Sequence, residues 1–600
     1  MIGQNPALPR EMVLASAGSG KTYHLSSRLI GLLANGVSPE AIWASTFTRK
    51  AAAEILERVL LRLARGVLDE RAARELAKGA WMGPEPEPGA DFLNPDQCGR
   101  LLSDLVYSLH RANIGTLDSF FVQVATTFAR ELGLSPAWKL VEGPEEDRMR
   151  SDGLEAVLNQ EDSAVLAELV RIMAKGDVHR GVHGRLLEQV EELLTTQREI
   201  GNDVDDAWDL HFPSAESDGV FSKETIHKRC HELADALESV HVPLNKNGTP
   251  NSGWQKELPR LGGAVRAGNW KDVFALGLGK KMVETGEVVS AAEVVYQRHT
   301  PEADLASLMD GVVDIARAAL ARDLTRQAGA LERLANWYRE AFEETQRGKG
   351  AYRFGDITHL LRTFTFLDRT DSLYFRLDAR IRHLLLDEFQ DTSLAQWEVL
   401  EPVVRELLAG DQGERAAVVV ADPKQSIYGW RGARPSLVPF VQERYGLKQE
   451  KLEQSWRSGP VILDAVRDTF SGLEANAVVQ EMDGGPSVAR EWLQDLYRQD
   501  SAHPGQEGFV ELTVGPRAEG TGAVQPALLD HAAGLIGELH AREPRASIGV
   551  LVRTNKVVSY LIAALRKLGG PASGEGGTPL TDAAPVNALL ALLRLADHPG

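Results

Sequence analysis

The chain has 600 residues, 43% of them hydrophobic and 25% charged, with two cysteines and a formal net charge of −19. That length exceeds what one core can serve and implies about four globular domains. Composition and charge argue against a membrane span, a Cys-ligated metal centre and nucleic-acid binding over the whole surface, though not against a local basic track.

The first residues carry no basic stretch followed by an apolar one, so no secretory leader is expected. Cys98 and Cys230 stand apart from any Cys/His cluster, which suits a reducing, cytoplasmic setting. Met12-Val13-Leu14 reads as a strand, followed by Ala15-Ser16-Ala17-Gly18-Ser19-Gly20-Lys21-Thr22 and a helix with Leu25, Leu29, Leu32 and Leu33 on one face. Strand, glycine-rich loop and helix in that order make a phosphate loop. Its backbone N–H groups close around phosphate oxygens, Lys21 adds a point charge, the Thr22 hydroxyl can ligate Mg²⁺, and the helix N-terminus adds its dipole. Ala15 stands where the pattern usually has its first glycine.

Residues 42–47 form the second predicted strand and 51–55 open the next helix, an alternation that indicates a parallel α/β sheet. Pro84-Glu85-Pro86-Glu87-Pro88-Gly89 is a break. From about 120 to 345 the pattern is helical. Leu186, Leu187, Val190, Leu193 and Leu194 make an amphipathic stripe that belongs in a core. His179, His183, His227 and His241 in this region lack metal-ligand spacing and read as surface or satisfied histidines.

Sheet character returns at 381–387 and 416–421. Leu384-Leu385-Leu386 ends in Asp387-Glu388, where one carboxylate can hold Mg²⁺ and the next can take a proton from an attacking water. Beyond about 450 a second α/β unit is expected, with an alternating strand at 508–514, a buried strand at 548–552, and Leu561, Leu565 and Leu568 on the helix behind it.

Six segments stand in order: the phosphate loop, Thr46-Phe47-Thr48-Arg49-Lys50-Ala51, Gly115-Thr116-Leu117-Asp118-Ser119, Asp387-Glu388-Phe389-Gln390-Asp391, Asp422-Pro423-Lys424-Gln425-Ser426-Ile427-Tyr428-Gly429-Trp430-Arg431, and Gln454-Ser455-Trp456-Arg457. In this the chain resembles superfamily 1A DNA helicases of the UvrD/Rep type. The Asp-Pro-Lys-Gln-Ser-Ile-Tyr form and Tyr352-Arg353-Phe354-Gly355-Asp356 lean toward the AddA/RecB helicase–nuclease branch.

The resemblance implies a RecA-like P-loop core (residues 1–120 and 346–447) interrupted by a helical insertion (121–345) and followed by an incomplete second RecA-like core (448–600). It implies ATP and Mg²⁺ as ligands, with residues 15–22 and Trp456 at the nucleotide and Thr22 and Asp387 at the metal. Glu388 would be the general base, Gln425 the γ-phosphate sensor and Arg457 an arginine finger. Phe47 and Trp430 would stack on DNA bases, while Thr48, Lys50 and Thr116 would touch the DNA backbone. Gln4 would correspond to an adenine-reading glutamine.

The implied function is 3′-to-5′ translocation on single-stranded DNA in double-strand-break repair, beside an AddB- or RecC/RecD-like subunit. Two further motifs of the second core and a carboxylate–lysine nuclease are not found in residues 1–600. The expectation is therefore a fragment that binds ATP without efficient unwinding. The alternatives are a stand-alone UvrD-like repair helicase and a non-motor scaffold that takes ATP or DNA only as a ligand.

Overall fold

The computed structural model describes residues 8–81, 93–160, 182–200, 222–245, 247–275, 277–284, 287–364, 381–409, 415–482, 484–494, 499–516, 524–574 and 584–597. Gln4 and the Pro84–Gly89 break lie outside them. The chain divides into two compact units, residues 1–457 with 495–502, and residues 458–494 with 503–600.

The first unit is built on a six-stranded parallel sheet. Its strands are β1 (Arg10–Ala15), β2 (Ile42–Thr46), β3 (Asn113–Thr116), β4 (His383–Leu386), β5 (Ala416–Ala421) and β6 (Lys448–Leu452). Their spatial order is β6-β1-β5-β4-β2-β3. Alternation of side chains sends Met12, Leu14, Leu384, Leu386, Ala417 and Val419 into the core on one face. Val13, Ala15, Leu385, Ala416, Val418 and Val420 enter the core on the other. Both faces are covered, which is why these strands read as continuous apolar runs. The edge strand β6 (Lys-Gln-Glu-Lys-Leu) is mostly exposed and hydrogen-bonds to β1, so the first sheet continues past residue 447.

The order places β5 between β1 and β4. The loops leaving these three strands at their carboxyl ends are therefore neighbours, the usual place for a ligand in an open parallel sheet. Helices α1 (Lys21–Ala34) and α2 (Arg49–Leu68) follow β1 and β2, α3 (Leu117–Thr127) follows β3, and α4 (Val182–Ile200) lies in the insertion.

The insertion is helical. Its spine is α5 (Ala303–Lys349), 47 residues and about 70 Å long at the α-helical rise. Leu305, Met309 and Val312 on its first half join one core, and Leu334, Tyr338 and Phe342 on its second half join another. The stripe on α4 is core as expected: Leu186, Val190 and Leu194 are buried against that second core. Helix α6 (Phe354–Thr363) returns the chain to the sheet. At this junction Arg353 binds Asp356 through Nε (3.0 Å) and Nη2 (3.1 Å), and Glu191 of α4 through Nη1 (2.9 Å). Both cysteines are buried and free.

In the second unit Ala533, Leu561 and Leu565 are buried, with Ile536 and Val557 packed beside them. The strands expected at 508–514 and 548–552 are not formed, and Leu512 and Leu551 are 96% and 100% exposed. Alternating apolar residues make a strand only where a neighbour takes up the backbone N–H and C=O groups. Among the described residues neither segment has such a ladder partner.

Candidate functional site

The loop after β1 turns tightly, with the Ser19 N–H and Oγ both donating to Ser16 O (3.2 and 2.7 Å). Gly18 and Gly20 have φ of +74° and +92°, where a side chain is strained. A Cβ on Gly18 would also lie 2.7 Å from Arg457 Cβ. Ala15 needs no such freedom, because it is the buried last residue of β1 in strand conformation. Lys21 and Thr22 begin α1, so the loop ends on a helix N-terminus.

Glu11 and His24 tie this helix to its strand. Glu11 on β1 is 6% exposed and contacts His24 Nε2 at 3.0 Å. It also accepts from Arg28 Nε (2.8 Å) and Nη2 (3.2 Å). Burial pushes its carboxyl up, but the His24 and Arg28 bonds outweigh that and hold it at about 2. Glu11, His24 and Glu450 approach within ligand distance of one another. Arg28 already sits on Glu11 and lies 3.7 Å from Glu450, which makes the group a structural ion cluster.

Across the sheet, β4 ends in Asp387, whose N–H donates to Ser45 O of β2 (2.8 Å) and whose Oδ1 accepts the Glu388 N–H (3.0 Å). Glu388 has φ of +52°, rare for a residue with a side chain and held by its surroundings. Burial first, then the Glu388 charge, raises the Asp387 carboxyl to about 6; the same two causes raise Asp391 to about 6. Lys21 Nζ donates to both Glu388 oxygens at 2.9 and 3.0 Å, closing the gap between residues 367 apart in sequence.

From Glu388 a chain of bonds runs to the β5 loop. Gln390 Nε2 donates to Glu388 Oε2 (2.6 Å), and Gln390 Oε1 accepts from Asp422 N (2.9 Å). Asp422 is buried and accepts from Gln425 Nε2 (2.6 Å). Thus Lys21, Asp387, Glu388 and Gln425 share one network. Trp456 donates its N–H to Gly18 O (2.8 Å) and is 60% exposed on the phosphate loop; Arg457 follows it, its N–H on Ser455 Oγ (3.4 Å). Gln499 Nε2 also donates to Ala17 O (3.0 Å).

A second surface lies at the same edge of the sheet. The rings of Phe47 and Tyr428 are 4.7 Å apart, those of Tyr428 and Trp430 are 6.4 Å apart, and the Arg431 guanidinium lies 4.7 Å over Trp430. Trp430 is 75% exposed, so ordinary core packing does not explain it. Thr48 and Lys50 are exposed beside Phe47, with Thr48 Oγ1 capping α2 through Ala51 N (3.1 Å). Thr116 is turned inward: it is buried, and its Oγ1 caps α3 through Ser119 N (3.1 Å). Behind these residues Asp118 is raised to about 6, by burial first, with Arg431 pulling it back.

Sequence reasoning assigned no role to Gln390, Lys424, Tyr428 or Gln499. Gln390 and Tyr428 stand inside segments already singled out. Gln499 has no local signal, because its contact crosses 482 positions.

Residues 5–445 match the model of the UvrD/REP helicase N-terminal domain. An ATP-dependent helicase/nuclease subunit of the AddA type from Streptococcus pneumoniae is 24% identical over 505 residues, covering 77% of this chain and 38% of that protein. Its counterpart of the same name from Geobacillus thermodenitrificans is 26% identical over 656 residues, covering 98% of this chain and 49% of the relative. That of Streptococcus mutans is 23% identical over 502 residues, covering 78% and 38%. The chain thus spans less than half the length of these relatives.

Proposed function

This chain belongs to the UvrD/REP helicase family, and from that premise we propose that it is the ATP-driven motor of an AddA-like helicase–nuclease, moving 3′ to 5′ on single-stranded DNA in double-strand-break repair. The setting is cytoplasmic, and the partner would be an AddB- or RecC/RecD-like protein. One observation carries the reading. The Lys21–Glu388 pair, Gln390, Asp422 and Gln425 form a single hydrogen-bonded network at the sheet edge, and the segment that carries Gln425 runs on to the exposed Trp430.

ATP phosphates would lie in the 15–22 loop, against its N–H groups and the α1 N-terminus, and would compete with Glu388 for Lys21. Thr22 and Asp387 offer the hard oxygen donors that Mg²⁺ takes, and the repulsion between Asp387 and Glu388 is what a divalent cation relieves. Bound with ATP, the ion would neutralise phosphate charge. Released from Lys21, Glu388 would accept the proton of the attacking water, held in its left-handed backbone geometry by Gln390. Gln425 would face the terminal phosphate. Arg457, whose Cβ faces Gly18, would stabilise charge on that phosphate. Trp456 would stack on adenine.

Phe47, Tyr428 and Trp430 would stack on bases without regard to sequence, and Thr48, Lys50 and Arg431 would meet the DNA backbone. Thr116 supports the surface through its helix cap. The test is Glu388→Gln. It should keep Mg²⁺·ATP binding while lowering turnover by about 10²-fold or more, the scale of a lost general base. A variant that turns over ATP at the wild-type rate rules out this role.

A further inference from the structure

The segment leaving β5 joins the two surfaces, with Asp422 and Gln425 at one end and Tyr428, Trp430 and Arg431 at the other. It is fastened to the Asp-Glu segment by Ser426 Oγ on Gln390 O (3.2 Å), Arg434 N on Thr392 O (3.1 Å) and a β-bridge between Ser393 and Ala433. One further side-chain bond runs the other way, to the phosphate loop. Lys424 Nζ donates to Ser16 Oγ at 3.0 Å, across 408 positions, while lying 3.3 Å from Asp422 Oδ1. Asp422 and Ser16 are both buried, and the Lys424 side chain is largely covered.

An ammonium group on a four-carbon stem can hold a hydroxyl and a carboxylate together. Here it fixes the phosphate loop against the loop that carries Gln425. Cutting it leaves two routes between phosphate loop and aromatic strip: the β1–β5 backbone ladder, and the path through Lys21, Glu388 and Gln390.

We propose that Lys424, through Ser16, is a positioning residue that couples nucleotide binding at the phosphate loop to DNA binding at Phe47, Tyr428 and Trp430. The inference rests on the ATP and DNA reading above. It adds a second lysine to the site, one that acts on the loop and not on the phosphates. By linkage, such coupling appears as a change in ATP affinity when DNA is bound, on the order of 5- to 150-fold.

The experiment measures the Kd of a fluorescent ATP analogue with Mg²⁺, without and with saturating oligothymidylate, for the 600-residue chain and three variants. In Lys424→Met the ratio of the two Kd values should fall by about fivefold or more, toward one. Lys424→Arg, which keeps charge and reach, should restore most of the ratio. Ser16→Ala, which removes the other end without stranding the Asp422 charge, should lose the ratio as Lys424→Met does, and it decides the matter if Lys424→Met melts early. A wild-type ratio in both Ser16→Ala and Lys424→Met overturns the coupling role, as does a loss in Lys424→Arg equal to that in Lys424→Met. A ratio of one in the wild type refutes the ATP and DNA reading itself and takes this inference with it.

Discussion

Replacing Glu11 by Gln should destabilise the first unit by about 3 kcal/mol at neutral pH, and the deficit should shrink in acid. Glu11 is buried on β1 and takes His24 and both the Nε and Nη2 of Arg28. Holding its carboxyl at about 2 instead of 4.5 is worth about 3 kcal/mol where both folded and unfolded forms are ionised. A second route gives the same scale, since breaking a buried ion pair and stranding its partner costs about 3–5 kcal/mol. Because the folded value is the lower one, this stability is present above pH 4.5 and is lost as pH falls from 4.5 toward 2; near pH 3 about half remains. Urea unfolding followed by tryptophan fluorescence at pH 7 and pH 3, wild type beside Glu11→Gln, reads both quantities. The staple holds α1, and with it Lys21 and Thr22, onto β1, so ATP affinity should fall in parallel. A deficit under about 1 kcal/mol at pH 7, or one that stays constant between the two pH values, refutes the reasoning.

Asp387 carries the opposite sign. Burial and the Glu388 charge raise its carboxyl to about 6, so its favourable contribution is present below 3.8 and is lost as pH rises through 6. Asp387→Asn should therefore stabilise the first unit by about 1–3 kcal/mol at pH 7.5, with the advantage shrinking toward pH 5, while abolishing Mg²⁺-dependent ATP binding. Thermal unfolding and nucleotide titration at the two pH values check this. Trp430→Ala should weaken oligothymidylate binding by about 1–3 kcal/mol in a fluorescence anisotropy titration and leave the melting temperature unchanged, since the ring is exposed. Arg353→Met leaves Glu191 and Asp356 without their shared cation where helical insertion meets sheet. It should cost about 3–5 kcal/mol in urea unfolding, far more than a surface charge change.

The strands of the first sheet were legible because both faces are buried: residues 12–14, 42–47, 381–387 and 416–421 announce themselves as apolar runs, and each lies on a strand or within a few residues of its ends. β6 was read as the start of the next unit because its polar sequence gives no such signal; an edge strand exposed to water needs none. The strands read at 508–514 and 548–552 show the converse. Alternation records which residues could face a core, and ladder partners decide whether a strand forms.

The nucleotide-site residues were singled out through their spacing and order. The bonds joining them were not legible, because Lys21 to Glu388 and Lys424 to Ser16 span 367 and 408 positions and only the strand order brings them together. Thr116 shows the limit at a single residue. Its motif suggested an outward hydroxyl, and the cap of α3 turns it inward.

ATP turnover by this chain, titrated with oligothymidylate, bears most directly on the claim of a DNA motor. Turnover should rise with single-stranded DNA and saturate, and Trp430→Ala should shift the half-saturating concentration upward by the factor its binding loss sets. Turnover that is indifferent to DNA, with Lys21, Glu388 and Gln425 intact, would contradict it.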